Sequence, residues 1–126
     1  GFLLSQAMTN GEYKQIMSDS SFTKVRSLAI ISMAERLFRE KKYSEAIPIY
    51  KGFIRQYPQN NLIPAAYIGL AYCYEETGNL QKAGDMFLNA EKKISGNNNI
   101  WAEDAEKGYK RISEKMQKML DINGGM

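Results

Sequence analysis

An all-α fold, made of antiparallel helix hairpins stacked side by side, is what this sequence predicts. Three observations carry it. Apolar residues recur at spacings of three and four over most of the chain, the period of a helix with one buried face. The chain repeats itself: with Ala46 placed over Ala83, an offset of 37, small residues fall on small and large apolar on large. In that register Tyr50 meets Phe87, Phe53 meets Ala90, Ala29 meets Ala66, Met33 meets Leu70, Ala34 meets Ala71 and Leu37 meets Tyr74. Only 3 prolines and few β-branched runs favour helix over sheet. At 126 residues there is room for a single domain, 1–126.

The elements follow in order. Residues 1–26 read as N-terminal flanking helices, with helical pieces over Phe2–Met17 interrupted near Asn10–Gly11, and a new helix starting at Ser20 or Ser21. The first repeat unit spans 27–58. Its first helix buries Ile30, Met33, Ala34 and Leu37, and "REKKY" breaks that pattern. Ser44 is placed to cap the second helix, whose apolar face is Ala46, Ile47, Tyr50, Phe53 and Ile54. Pro48 is expected in its opening turn, and the residue before Pro58 ends it. The second unit spans 63–95. Pro64 suits its first helix start; Tyr67, Leu70, Ala71 and Tyr74 form the stripe; Gly78 supplies a left-handed residue at the turn. Asn79 caps the next helix, which packs Ala83, Phe87 and Ala90.

After the polar break Ser95–Asn99, residues 100–121 read as one long amphipathic helix. Ile100, Trp101, Ala105, Tyr109, Ile112, Met116 and Leu120 lie on its apolar face, and "NGGM" frays beyond it. Shifted by 37, Leu70 becomes Lys107 and Tyr74 becomes Arg111, so a third full repeat is not expected. This helix reads as a cap with a polar outer face, as the end of a helix stack requires.

The repeated unit resembles the tetratricopeptide repeat. Tyr67, Leu70, Ala71, Tyr74, Gly78, Ala83, Phe87 and Ala90 follow that family's order and spacing, with Ser95 where proline is usual. The first unit offers Ile30, Met33, Ala34, Leu37, Ala46, Tyr50, Phe53 and Pro58, with Lys41 in place of the turn glycine. The stretch "YPQNNLIPAAYIGLAYCYEETGN" is similar to the subset of these repeats found in bacterial cell-envelope and membrane-tethered proteins. The resemblance implies a right-handed superhelix, an α-solenoid of about two repeats closed by flanking helices. It also implies an adaptor or scaffold that holds a peptide or helix of a protein partner in a concave groove. Carried over position by position, the groove residues are Ile31, Glu35, Phe38 and Arg39 from the first unit and Ile68, Tyr72, Glu75 and Glu76 from the second, all expected off the buried stripe. Of these only Arg39 has the charge used by relatives that grip a C-terminal carboxylate, so that activity is not expected.

Chemistry is read mainly by elimination. With 0 histidines the commonest general base and zinc ligand are missing. Cys73 lies between Tyr72 and Tyr74 with no cation beside it, and reads as a buried thiol. Glu75 and Glu76 are adjacent on a helix and point about 100° apart, too divergent to flank one bond. No catalysis, cofactor or metal is expected. A net charge of +3, without a clustered basic face, argues against nucleic acid. No apolar run is long enough to span a bilayer, so membrane attachment is expected only through residues outside this chain. A periplasmic or membrane-tethered location is favoured, with the cytoplasm as the other option. The alternative function is a self-associating structural module of a larger envelope protein, with Trp101 and Tyr109 seating a neighbouring subunit.

Overall fold

The computed structural model describes residues 20–94 and 99–124, which form five helices: α1 Ser20–Arg39, α2 Tyr43–Gln56, α3 Ile63–Glu76, α4 Leu80–Lys93 and α5 Asn99–Gly124. Among the described residues there is no strand. The helical pieces expected over 2–17, and positions 95–98 of the polar break, lie outside them. The boundary drawn between 26 and 27 falls inside α1, and α5 runs on through the "NG" expected to fray. Each helix packs on the next, and the central α3 also touches α1 and α5.

The two hairpins turn in the same way. Lys41 at φ 63° and Gly78 at φ 83° hold the left-handed region, 37 residues apart. Lys42 N–H donates to the Leu37 carbonyl at 2.8 Å, as Asn79 N–H donates to that of Tyr74 at 2.8 Å. Lys41 N–H donates to Phe38 at 2.9 Å, as Gly78 N–H donates to Glu75 at 3.1 Å. These bonds satisfy the last carbonyls of α1 and α3. A lysine in this conformation carries strain that glycine avoids. Lys41→Gly should therefore raise stability by about 0.5–1 kcal/mol, read by chemical denaturation; a lower midpoint would refute the shared turn.

Local details differ from the sequence reading at three points. α2 begins at Tyr43 with Lys42 as N-cap, so Ser44 is already inside the helix. Asn79 holds the N-cap position of α4, but no side-chain capping bond is made. Pro48 lies within α2 rather than in its first turn, because the tight turn at Lys41 starts the helix earlier. Pro64 does fall at the start of α3.

The core is a seam of small residues with aromatic plugs. Ala34, Ala46, Ala66, Ala71, Ala83 and Ala90 are fully buried, which lets the helices approach closely. In α1 the buried face is Ser27, Ile31 and Ala34, with Ile30 and Leu37 half-buried. Met33, expected in the core, is 44 % exposed, because α1 turns toward both α2 and α3 and leaves Met33 on its outer side. Asn60 ties the α2–α3 loop to that face: its Oδ1 accepts from Leu62 N–H at 2.8 Å and its Nδ2 donates to Ser27 Oγ at 3.1 Å.

On α5 the buried face is Ala105, Gly108 and Ile112, flanked by half-buried Trp101 and Met116. Ile100, Tyr109 and Leu120, expected on it, are exposed. A Cβ on Gly108 would lie 2.3 Å from the Phe87 ring, and one on Gly69 would lie 2.3 Å from Tyr50. An aromatic of one helix thus seats on a glycine of the following helix twice over. Matching the two glycines aligns Ala66, Gly69 and Cys73 with Ala105, Gly108 and Ile112, an offset of 39 rather than 37. α5 keeps the face with which α3 meets the preceding hairpin. Where α3 buries Leu70, Ala71 and Tyr74 and half-buries Tyr67, the equivalent positions of α5 carry exposed Glu106, Tyr109, Lys110 and Ser113.

Candidate binding cleft

α1, α3 and α5 lie beside one another and leave a cleft of about 210 Å³ between them. Phe38 of α1, Tyr72 of α3 and Trp101 of α5 form its aromatic walls, while Tyr50 of α2 reaches it beside Gly69. Glu35 and Asp104 line it from α1 and α5. The helical period explains the grouping: Glu35 and Phe38, three residues apart, share one face of α1, as Ile68 and Tyr72, four apart, share one face of α3.

The aromatic side chains are held in place by one another. Phe38 contacts Tyr43 at a centroid distance of 5.4 Å and Tyr72 at 6.0 Å; Tyr72 meets Phe87 edge-on at 5.4 Å. The Arg111 guanidinium lies 5.7 Å from the Tyr72 centroid and 5.9 Å from that of Phe87. Burial pushes the Tyr72 hydroxyl above its ordinary pKa, and Asp104 adds to this against the pull of Arg111. Burial does the same to Tyr50, with Cys73 and Glu35 adding to it. Both phenols remain protonated near neutrality and able to donate.

Of the eight residues expected in a groove, the structure brings Glu35, Phe38, Ile68 and Tyr72 into this cleft. Ile31 is 3 % exposed and belongs to the core, since α1 uses that position against its neighbours. Ile68 is also largely buried and forms part of the cleft's floor. Glu75 is not free. Its carboxylate accepts two bonds from Arg111, Nε to Oε2 and Nη2 to Oε1, each 2.7 Å, and one from Lys115 at 2.6 Å. The Arg111 bonds hold its pKa below the ordinary value, outweighing burial, with Lys115 assisting. This ion pair fastens α5 to α3. Arg39 and Glu76 are exposed and do not line the cleft. Trp101 and Asp104 escape the sequence reading because the 37-residue register places α5 outside the repeat; the 39-residue register puts Asp104 on Ala65, which also lines the cleft.

Two further hollows are less suited to the role. One of about 420 Å³ lies at the loop end, between 58–64 and Lys93–Ile94, lined by amides, prolines and apolar side chains, with Trp101, shared with the cleft, as its one aromatic. The other, of about 360 Å³, is an apolar notch where Met116, Met119 and Leu120 pass the Gly78 turn. Cys73 is fully buried and its thiol is pushed up to about 11 by that burial, so it is no nucleophile. No described helix is long and apolar enough to cross a membrane. Compared with protein families, curated proteins and solved structures, the chain has no match.

Proposed function

We propose that this chain is a non-catalytic adaptor of the tetratricopeptide type, whose α1–α3–α5 cleft holds a peptide or helix of a partner protein. One observation carries the reading: three aromatic side chains from three different helices converge on one cleft, the composition that interface hot spots favour. The duplicated hairpin with its shared left-handed turn supports the solenoid arrangement, with α5 placed as the first helix of a further unit would be. In a right-handed superhelix of this kind the first helices line the inner surface, the side on which Phe38, Tyr72 and Trp101 meet. The Tyr-Pro and Pro-Ala-Ala linker supports an envelope setting.

The test is selection from a random peptide library on the folded protein, followed by amide chemical-shift mapping with an enriched peptide. Shifts should concentrate at Phe38, Ile68, Tyr72 and Trp101, with Kd on the order of 10 μM for so small a cleft. Shifts confined to the outer faces of α2 and α4 would overturn it.

A second reading has its own observation. Val25, Leu28 and Met33 are exposed on α1, and Met119, Leu120 and Ile122 on α5, the first and last of the described helices. Two such faces meeting would join copies head to tail, an open arrangement that grows with concentration. Light scattering across a concentration series reads this directly: growth favours the structural module, and a constant monomer mass removes it.

A further inference from the structure

We propose that the cleft selects a partner peptide by a basic side chain, whose cation lies among Phe38, Tyr72 and Trp101 and between the carboxylates of Glu35 and Asp104. The inference rests on the cleft being the binding surface and adds what that surface recognises. The argument begins with charge. The chain is net basic, yet among the described residues no lysine or arginine lines this cleft, and the two charged residues that do are both acidic. Neither carboxylate is held in a salt bridge or hydrogen bond among the described residues, although Asp104 also feels the charge of Lys107. The nearby cations are engaged or lie outside. Arg111 and Lys115 are bound to Glu75, Lys107 pairs with Glu103 at 2.6 Å, and Arg39 lies outside the lining.

Aromatic faces supply the second half. A cation over an aromatic ring is attracted by the ring's quadrupole, more so where water is partly excluded. Tyr72 already shows this tendency within the molecule, with Arg111 5.7 Å from its centroid. A peptide carboxylate or phosphate would meet two like charges here, and the nearest cation, Arg111, is already bound to Glu75, so an anionic ligand is disfavoured. A wholly apolar side chain would fill the aromatic walls but leave both carboxylates facing it, partly desolvated and unpaired. A lysine or arginine side chain satisfies both features, its stem against the rings and its head between the acids.

Trp101 is the only tryptophan in the sequence, so its fluorescence reports binding without a label; because it also lines the hollow at 58–64, the signal is assigned to the cleft by changing Glu35 and Asp104, which line the cleft alone. The probes are four short capped peptides on one Ala/Leu scaffold. Two carry a central arginine or its neutral isostere citrulline, and two carry lysine or acetyl-lysine. At low ionic strength at least one basic peptide should bind about tenfold more tightly than its neutral counterpart, and added salt should shrink the difference. Glu35→Gln with Asp104→Asn, changes of charge but hardly of shape, should bring the basic peptide to within about twofold of the neutral one, with an unchanged circular dichroism spectrum. Equal binding of charged and neutral peptides overturns the cation proposal and leaves the peptide cleft standing. A tryptophan signal unmoved by all four peptides at millimolar concentration overturns both.

Discussion

Gly108→Ala should destabilise this protein by about 2–3 kcal/mol, where the same change in an ordinary helix interior stabilises by about 0.5–1 kcal/mol. The reversal comes from one contact. A Cβ on Gly108 would stand 2.3 Å from the Phe87 ring, far inside van der Waals contact. The ring has nowhere to go. Phe87 is fully buried, Tyr72 abuts it edge-on at 5.4 Å, and Arg111 lies 5.9 Å from its centroid. An added methyl group therefore has to lift α5 away from α4. Gly52 is the internal control. It lies in α2, where an added methyl group would meet only the Arg55 guanidinium, at 4.0 Å, so Gly52→Ala should raise the midpoint. Phe87→Leu should recover part of the loss in the Gly108→Ala background, as coupled neighbours do. If urea titrations show Gly108→Ala and Gly52→Ala shifting the midpoint in the same upward direction, the seating of Phe87 on α5 is wrong.

That contact also shows why half of the stack is readable from sequence and half is not. Periodicity and the Ala46–Ala83 match lead directly to the helices of both hairpins, because a helix packed on both sides needs small residues at fixed intervals. Lys41 departs from Gly78 in residue type, yet it keeps the same backbone, since two backbone bonds and the following helix hold it there. The rotation of α1 is hidden. Ser27 is polar but 1 % exposed, and its hydroxyl both donates to the Lys24 carbonyl at 3.0 Å and accepts from Asn60, so a pattern of apolar letters passes over it. α5 is hidden differently. Its kinship with α3 lies in Ala105, Gly108 and Ile112, which emerge only when the register shifts by two residues. A single offset read through the whole chain sets Lys107 and Arg111 on core positions and masks the likeness.

The cleft is legible to the same extent. Glu35, Phe38, Ile68 and Tyr72 follow from position within the repeated unit, and they do line one cleft. Its third wall requires knowing which face of α5 turns inward, and that is decided by the glycine contact with Phe87 rather than by hydrophobicity. Tyr72 illustrates the limit of residue-by-residue assignment. It lines the cleft and also bridges Phe38 to Phe87, so its truncation removes packing together with binding surface. Glu35 and Asp104 separate the two effects, since neither holds another side chain through a hydrogen bond or ion pair.

Arg111→Leu should cost about 2–4 kcal/mol, while Glu75→Leu should cost no more than about 1 kcal/mol, although both break the same ion pair. The asymmetry follows from where water reaches. The Glu75 side chain is 4 % exposed, whereas those of Arg111 and Lys115 are 39 % and 46 % exposed. Removing Arg111 leaves a buried carboxylate with Lys115 as its one remaining ionic partner. Removing Glu75 leaves two cations that turn to solvent. The pH dependence separates the variants further. In the native protein the Arg111 bonds lower the Glu75 pKa below its ordinary 4.5, so this pair's share of stability is complete above that value and is lost as pH falls through the depressed one. In Glu75→Leu that acid-sensitive share is absent. In Arg111→Leu the main force lowering the pKa is gone and burial opposes ionisation, so the deficit measured at pH 7 should shrink on acidification toward pH 5 as the stranded carboxyl takes up a proton. Urea midpoints for both variants at these two pH values decide the matter. Equal losses, or an Arg111→Leu deficit that does not change with pH, would mean that α5 is held to α3 by its apolar face alone.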